Sequence, residues 1–512
     1  MLRFRCWLAA WSVIVLAGCA GLPPVDDRTA TEALQDTDDT RLAEAIAPRV
    51  AAHPGKSGFH ALADPLDAFA ARVLLARAAD RSLDVQYYIW RPDETGHLLL
   101  EALWRAAERG VRVRLLLDDI NTAGMDQVIA TLDAHPMIEV RLYNPLAQRD
   151  VRALNFITDF SRVNRRMHNK SFTADNQATV VGGRNVGNEY FGADTGVVFA
   201  DLDVLAVGPA VRDVSYAFDR YWNSPSAYPA AALVEPEDDR AALEAAFTAT
   251  REDPDAVAYI DAVRQTGLVK ALLAGGLAVE WADARLVVDD PAKTLDTDGR
   301  DDLLLLAELL EVGGQPDRSF YLVSPYFVPG QDGSESLQAL ADRGVDVEIL
   351  TNSLAATDVS AVHAGYVKRR RDLLRSGIRL FELKPDAETE DDQDGGMRFG
   401  SSSASLHAKT FAADGDRLFV GSFNFDQRSA FLNTELGLVI YSPALAGQLA
   451  DAFADRVPLV AYEVQLADGG KALQWIERTP DGEIVHAVEP GTGALQRGWI
   501  GLLSVLPIEW LL

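Results

Sequence analysis

The chain has 512 residues, 48% hydrophobic and 24% charged, which excludes a disordered or low-complexity protein and leaves room for roughly two to four packed cores. With 76 acidic and 48 basic residues, its formal charge is −28. That balance argues against duplex binding, because a phosphate backbone needs a basic footprint to replace its counterions, and no nucleic-acid partner is expected.

The chain opens with Arg3 and Arg5, an apolar run from Cys6 to Ala17, and Leu16-Ala17-Gly18-Cys19. The run is too short for a permanent membrane span and reads as a signal peptide over residues 1–18. Small residues before Cys19 resemble a bacterial lipobox, in which the cysteine is lipidated and becomes the mature N-terminus; plain secretion or a short anchor is the alternative. Both cysteines lie in this segment, leaving a mature chain no thiol for a disulfide or a cysteine nucleophile. Acyl chains on Cys19 would hold the protein on a membrane at about 0.8 kcal/mol per buried methylene. Ala20 after the cysteine, in lipoproteins that resemble this one, favours the outer membrane. The expected location is therefore the bacterial cell envelope, lipid-anchored and facing the periplasm. Residues 19–45, rich in Pro, Asp and Thr toward their start, read as a lipidated tether.

Beyond residue 45 the sequence repeats itself after about 237 residues, a period far longer than that of a solenoid and indicative of a duplicated domain. Arg81-Ser82-Leu83-Asp84-Val85 matches Arg318-Ser319-Phe320-Tyr321-Leu322, and both runs end in aromatics. Ala106 to Val113 matches Leu340 to Val347: an amphipathic helix stops at glycine, and a buried strand, LLLD or ILTN, follows. Val140-Arg141-Leu142-Tyr143 matches Ile378-Arg379-Leu380-Phe381. Strand, helix, strand in this rhythm predicts an α/β fold with two pseudo-twofold-related domains. The expected boundaries are 46–225 for the first domain and 301–465 for the second. Between them, residues 226–300 read as an acidic, Ala-rich insert with no chemistry in its charges, and residues 466–512 as a C-terminal extension.

Each half then presents HxKxxxxD: His168, Lys170 and Asp175, and His407, Lys409 and Asp414. Gly182 and Gly421 follow their histidines by fourteen residues, Asn185 and Asn424 by seventeen. One such motif is a weak signal; two at matching places of a repeat, with the same downstream spacing, are strong. His and Lys two apart on a strand project from one face and can meet one phosphate. Asp175-Asn176-Gln177 and Asp414-Gly415-Asp416 suggest hairpin turns whose return strands bring the Gly and Asn loops back to the site, where glycine would let the backbone approach a ligand.

On these motifs the sequence resembles the phospholipase D superfamily across nearly all of its mature length. The stretches VQYYIW, LLLDDINTAGMD, FADLDVLAVGP and GSFNFDQRSAFLNTELG, with the long run from Leu154 to Gly192, are similar to the bacterial cardiolipin synthase C group. The resemblance implies two α/β sandwich domains sharing one active site, no metal and no cofactor. It implies that one histidine attacks phosphorus while the other protonates the leaving alcohol, with His168 as nucleophile and His407 as acid/base. Lys170 and Lys409 would neutralise the non-bridging oxygens, and Asn185, Asn424 and Ser422 would add hydrogen bonds. Asp175 and Asp414 belong to the motif, either on the histidines or in support of the fold. Glu189 and Glu435 are candidates for orienting imidazole.

Arg166, with Arg162 and Arg165, could hold an anionic headgroup or be merely solvated. Lys368 to Arg371 could meet anionic lipid or form a solvated helix face. Trp499 to Leu512 suits core packing or a bilayer interface equally. His53, His60, His97, His135, His363 and His486 have no matched spacing and read as structural or surface residues. The expected function is phosphatidyl transfer making cardiolipin, with phosphatidylglycerol and phosphatidylethanolamine as candidate substrates. The alternative is hydrolysis to phosphatidic acid. A nuclease is disfavoured by charge, and an idle lipoprotein scaffold by the two intact motifs.

Overall fold

The structure, a computed structural model, describes residues 21–25, 28–193, 198–274, 276–296, 299–385, 404–506 and 509. The signal-peptide segment and Cys19 lie outside the described residues.

Two sheets carry the fold. In the first half β1 (Ser57–Leu62), β2 (Ser82–Tyr87), β3 (Arg112–Asp118), β4 (Ile138–Tyr143), β5 (Ser171–Ala174), β6 (Ala178–Gly182), β7 (Val198–Ala200), β8 (Asp203–Val207) and β9 (Ala227–Pro229) follow in order. The long β10 (Glu280–Val288) leads to β11 (Ser319–Val323), β12 (Asp346–Asn352), β13 (Arg379–Leu383), β14 (Ala404–Leu406), β15 (Thr410–Ala413), β16 (Arg417–Gly421) and β17 (Leu436–Tyr441). A meander of β18 (Ala461–Ala467), β19 (Ala472–Thr479) and β20 (Gly482–His486) closes the second half.

The spatial order β4-β3-β2-β5-β6-β8 in one half repeats as β13-β12-β11-β15-β16-β17 in the other, with the first three strands parallel and the remainder antiparallel. The parallel strands are largely buried, yet β2 and β4 keep a period-two alternation, with Asp84, Gln86, Glu139 and Arg141 set between apolar residues. Helices Glu94–Glu108 and Gly330–Asp342 end just before Gly110 and Gly344, both at positive φ, as the repeat predicted.

The span expected as an insert is more than a linker. Helices Arg240–Glu252, Pro254–Arg264 and Gly267–Leu273 pack on the helices of the first half. Strand β10 pairs with β1 through Glu280–Ala282 and with β17 through Asp283–Val288, joining the two sheets into one of 18 strands. Between the halves lies a shared apolar core in which Val181, Leu202 and Val204 meet Val420, Leu436 and Leu438. Burial of that surface holds the halves in one fixed relation.

Candidate active site

Each histidine is delivered by a hairpin and clamped at its back. Asp175 and Asn176 in one half, and Asp414 and Gly415 in the other, adopt positive φ in three-residue hairpin loops that join Ala174 to Ala178 and Ala413 to Arg417. The Asp175 carboxylate accepts hydrogen bonds from the backbone N–H groups of Asp80, Arg81 and Ser82 at 2.7–2.9 Å. Asp414 receives those of Asp317, Arg318 and Ser319 in the same way. Both motif aspartates therefore tie the hairpin to the start of β2 or β11. Their carboxylates bind backbone donors, so of the two places left open for these motif residues the structure shows support of the fold, and they do not touch the histidines as catalytic groups would.

The ends of β3 and β12 fix the residue before each histidine. Asp118 accepts from the Met167 N–H at 2.8 Å, and Asn352 accepts from the Leu406 N–H at 2.9 Å. Arg166 is fully buried and pairs with Asp118 at 2.6 Å, so it secures this clamp and presents no cation to a headgroup, contrary to its expected role. Arg162 and Arg165 are likewise bonded to the protein, through Asp159, Asn144 and the Pro145 and Lys293 carbonyls.

Each motif also docks on the opposite half. The His168 N–H donates to the Thr434 carbonyl at 2.8 Å, and the His407 N–H to the Ala200 carbonyl at 2.8 Å. In both cases the next residue is acidic. Glu435 Oε2 lies 2.9 Å from His168 Nδ1, and Asp201 Oδ2 lies 2.5 Å from His407 Nδ1. A carboxylate on Nδ1 fixes the proton there and leaves Nε2 as the free nitrogen of each nearly buried ring.

Glu435 was among the expected orienting groups; Glu189 was too, but its carboxylate faces Arg91 at 3.4 Å. The counterpart of Glu435 is Asp201, which the sequence reading missed. The signal was present: Asp201-Leu202 and Glu435-Leu436 stand at matching places at the start of the corresponding strands β8 and β17.

Ser422 also differs from expectation. Its hydroxyl donates to Glu435 Oε2 at 2.5 Å and accepts from the Leu436 N–H at 3.0 Å, so it positions the carboxylate and has no hydrogen left for a phosphate. Gly183 stands at the matching place, where a Cβ would come within 2.2 Å of Asp201 Oδ1. The shorter carboxylate fills the space that serine occupies in the other half. Gly182 and Gly421 serve the adjacent strands: a Cβ would meet Leu202 and Asp203 in one, and Leu436 and Gly437 in the other. Asn185 accepts the Ile89 N–H at 3.1 Å, whereas Asn424 keeps a buried Oδ1 with no protein partner.

Glu435 is held by the span expected to carry no chemistry. Asp289 accepts the Glu435 N–H at 2.7 Å, and Lys293 bonds to Asp289 at 2.9 Å. The Lys368–Arg371 stripe, by contrast, is occupied: Lys368 and Arg369 bind Glu509, and Arg370 is buried against Glu382 and Glu489.

Lys170 and Lys409 reach back to the carbonyls of His168 and His407. Burial pushes both ammonium groups below the ordinary lysine range. Burial, with both lysines, lowers His168 well below an ordinary histidine, and the same causes, opposed by Asp201, bring His407 to about 4. The crossed contacts of each histidine with the opposite half bring both motifs to one composite site. Tyr88 meets His168 edge-on at 4.9 Å, and Tyr190 meets His407 at 5.1 Å.

A family model described as "Cardiolipin synthase, PLD-like domain" matches this chain twice, at residues 73–222 and 314–457. The chain belongs to the phospholipase D superfamily. Cardiolipin synthase C of Escherichia coli (strain K12) is 47% identical over 477 residues, covering 92% of this chain and all of the relative. A cardiolipin synthase of Staphylococcus aureus (strain N315) is 27% identical over 412 residues, covering 78% of this chain and 67% of the relative. Among solved structures, the phosphatidylserine synthase of Haemophilus influenzae Rd KW20 superposes with a TM-score of 0.55 at 13% identity, covering 92% of this chain and all of that one. At that identity the likeness establishes the fold alone.

The two half-sites of this phospholipase D-type enzyme are unequal. Burial would raise Asp201, but the His407 imidazole and Lys409 outweigh it and hold the carboxylate well below its usual range. Burial of Glu435 prevails over the pull of Lys170 and raises it to about 7. His407 thus faces a firmly ionised partner, and His168 a partner that titrates near neutrality.

Proposed function

We propose that the enzyme makes cardiolipin by passing a phosphatidyl group from a donor phospholipid to a hydroxyl of phosphatidylglycerol. The observation that carries the reading is the crossed pair of His–carboxylate contacts within a chain 47% identical to a cardiolipin synthase. His168 Nε2 attacks phosphorus, and His407 Nε2 gives its proton to the departing alcohol oxygen. The P–O bond to that alcohol breaks, and a phosphatidyl-histidine forms. The acceptor hydroxyl then loses its proton to His407 and attacks phosphorus, breaking the P–N bond and regenerating His168.

The electrostatics favour this order. Burial and both lysines keep the His168 imidazole neutral, as a nucleophile must be. Burial depresses His407 most; an anionic phosphodiester between Lys170 and Lys409 offsets the lysine repulsion that adds to it, and ionised Asp201 then stabilises the imidazolium. We place the enzyme on the bacterial envelope, anchored through a lipid on Cys19.

Mass spectrometry of products from labelled phosphatidylethanolamine and phosphatidylglycerol tests the proposal. Cardiolipin with released ethanolamine or glycerol supports transfer. Phosphatidic acid without cardiolipin, from any donor, identifies a hydrolase instead.

A further inference from the structure

Among the described residues, two exposed apolar surfaces adjoin the ends of β3, β4 and β12, beside the contacts that fix the residue before each histidine. The first is the turn from Leu154 to Phe160, with Ile157 81% exposed and Phe156 and Phe160 also open. It is fastened over the ends of β3 and β4: Arg152 donates to the Asp119 carbonyl, and Asn144 donates to the Arg162 and Arg165 carbonyls. From there the chain runs through Arg166 and Met167, clamped by Asp118, directly into His168.

The second is the outer face of helix Ala494–Ser504. Its inner side is seated through Ile500, which packs with Ala364 and with Leu354, the latter two residues beyond the Asn352 that clamps the approach to His407. Its outer side carries Leu495, Trp499 and Leu502, 92%, 56% and 55% exposed. The spacing of four and three places them on one face, so this helix is apolar on two sides and only one is covered. In each half the exposed surface therefore adjoins the clamp behind a catalytic histidine.

The charge pattern selects the occupant. In a chain of net charge −28, residues 494–506 contain no Asp or Glu, and nearby Glu509 is neutralised by Lys368 and Arg369. Asp159 in the first surface is paired with Arg162 at 2.5 Å. An acidic protein approaching an anionic bilayer would be repelled by most of its surface; these two faces present apolar area, a tryptophan and no unpaired anion. We propose that the 154–160 turn and the outer face of helix Ala494–Ser504 seat on the membrane surface, feeding bilayer phospholipid to the shared site. The proposal rests on the phospholipid reading above and names the surface that meets the bilayer.

The test compares two substrates for the full chain. One is phosphatidylglycerol and phosphatidylethanolamine in bilayer vesicles; the other carries the same headgroups on short acyl chains, below the concentration at which they aggregate. Ile157→Asp, and the double substitution Trp499→Ser with Leu502→Ser, should each lower vesicle turnover roughly tenfold or more and leave monomeric turnover within about twofold. Lipids brominated in their acyl chains should quench fluorescence of the unsubstituted protein, and Trp499→Phe should remove much of that quenching. Equal losses on both substrates, or none on vesicles, would overturn the proposal. So would a self-association broken by Trp499→Ser with vesicle turnover intact, which would assign the face to a second copy. If the unsubstituted enzyme turned over neither phospholipid, the functional reading would fail, while Trp499 quenching would still decide the docking surface.

Discussion

Glu435, in the second half of the chain, lies 2.9 Å from Nδ1 of His168 in the first. Because Asp201 returns the same contact to His407, neither half contains a complete His–carboxylate pair of its own. Duplication has left two motifs that work as one site through exchanged partners.

The crossed carboxylates should matter for rate more than for folding. Asp201→Asn and Glu435→Gln keep the shape while removing the charge that stabilises an imidazolium. Each should lower kcat by roughly 10²-fold or more with KM little changed. The Asp201 variant should suffer more with a poor leaving group than with an activated aryl phosphodiester, since proton donation by His407 is what it weakens. Kinetics on both donors check this.

The pH profile should report Glu435. Burial raises its carboxyl to about 7, so it protonates as pH falls through neutrality. kcat should fall on the acid side of about 7, and Glu435→Gln should flatten that limb at a lower plateau. The stability sign is the reverse. A carboxyl whose folded pKa is raised binds its proton more tightly in the native state, so its contribution is fully present below the unfolded value and is lost as pH rises through about 7. Thermal melts of Glu435→Gln should therefore compare better with the parent at pH 8 than at pH 5.

Gly183 and Ser422 occupy matching places but should respond differently. Gly183→Ala puts a methyl within 2.2 Å of Asp201 Oδ1 and should displace the carboxylate, lowering kcat roughly 10²-fold. Ser422→Ala removes one hydrogen bond to Glu435 and leaves space, so its loss should be roughly tenfold or less. Equal effects would deny that these residues act through their carboxylates.

Asp175→Ala should act on stability. It orphans three buried or half-buried N–H groups, a loss of about 1–3 kcal/mol or more, while the folded fraction retains most of its turnover. Melting temperature and kcat, measured together, separate this from a catalytic role.

Much of the fold could be read from the sequence because duplication printed it twice. The strand-helix-glycine-strand rhythm and the two hairpins follow from local spacing, but His168 to Lys170 and His407 to Lys409 lie just before β5 and β15, not on a strand as expected. What escaped depended on contacts between the halves. Asp201 lies 206 positions from His407, and only its match to Glu435 across the repeat distinguishes it from neighbouring Asp203, which binds Arg72 in the core. Arg166 and Ser422 were misassigned for a related reason: a sequence gives a side chain's chemistry but not which partner has already claimed it. The β10 strand was hidden by its acidic, Ala-rich surroundings, although its role is to join the two sheets.

The most direct measurement of the central claim is the stereochemical course at phosphorus, followed with a donor made chiral by oxygen isotopes. Two successive in-line displacements, first by His168 and then by the acceptor hydroxyl, predict retention of configuration in the transfer product. Inversion would mean that the acceptor attacks the donor in a single step, and no phosphatidyl-histidine would then lie on the path.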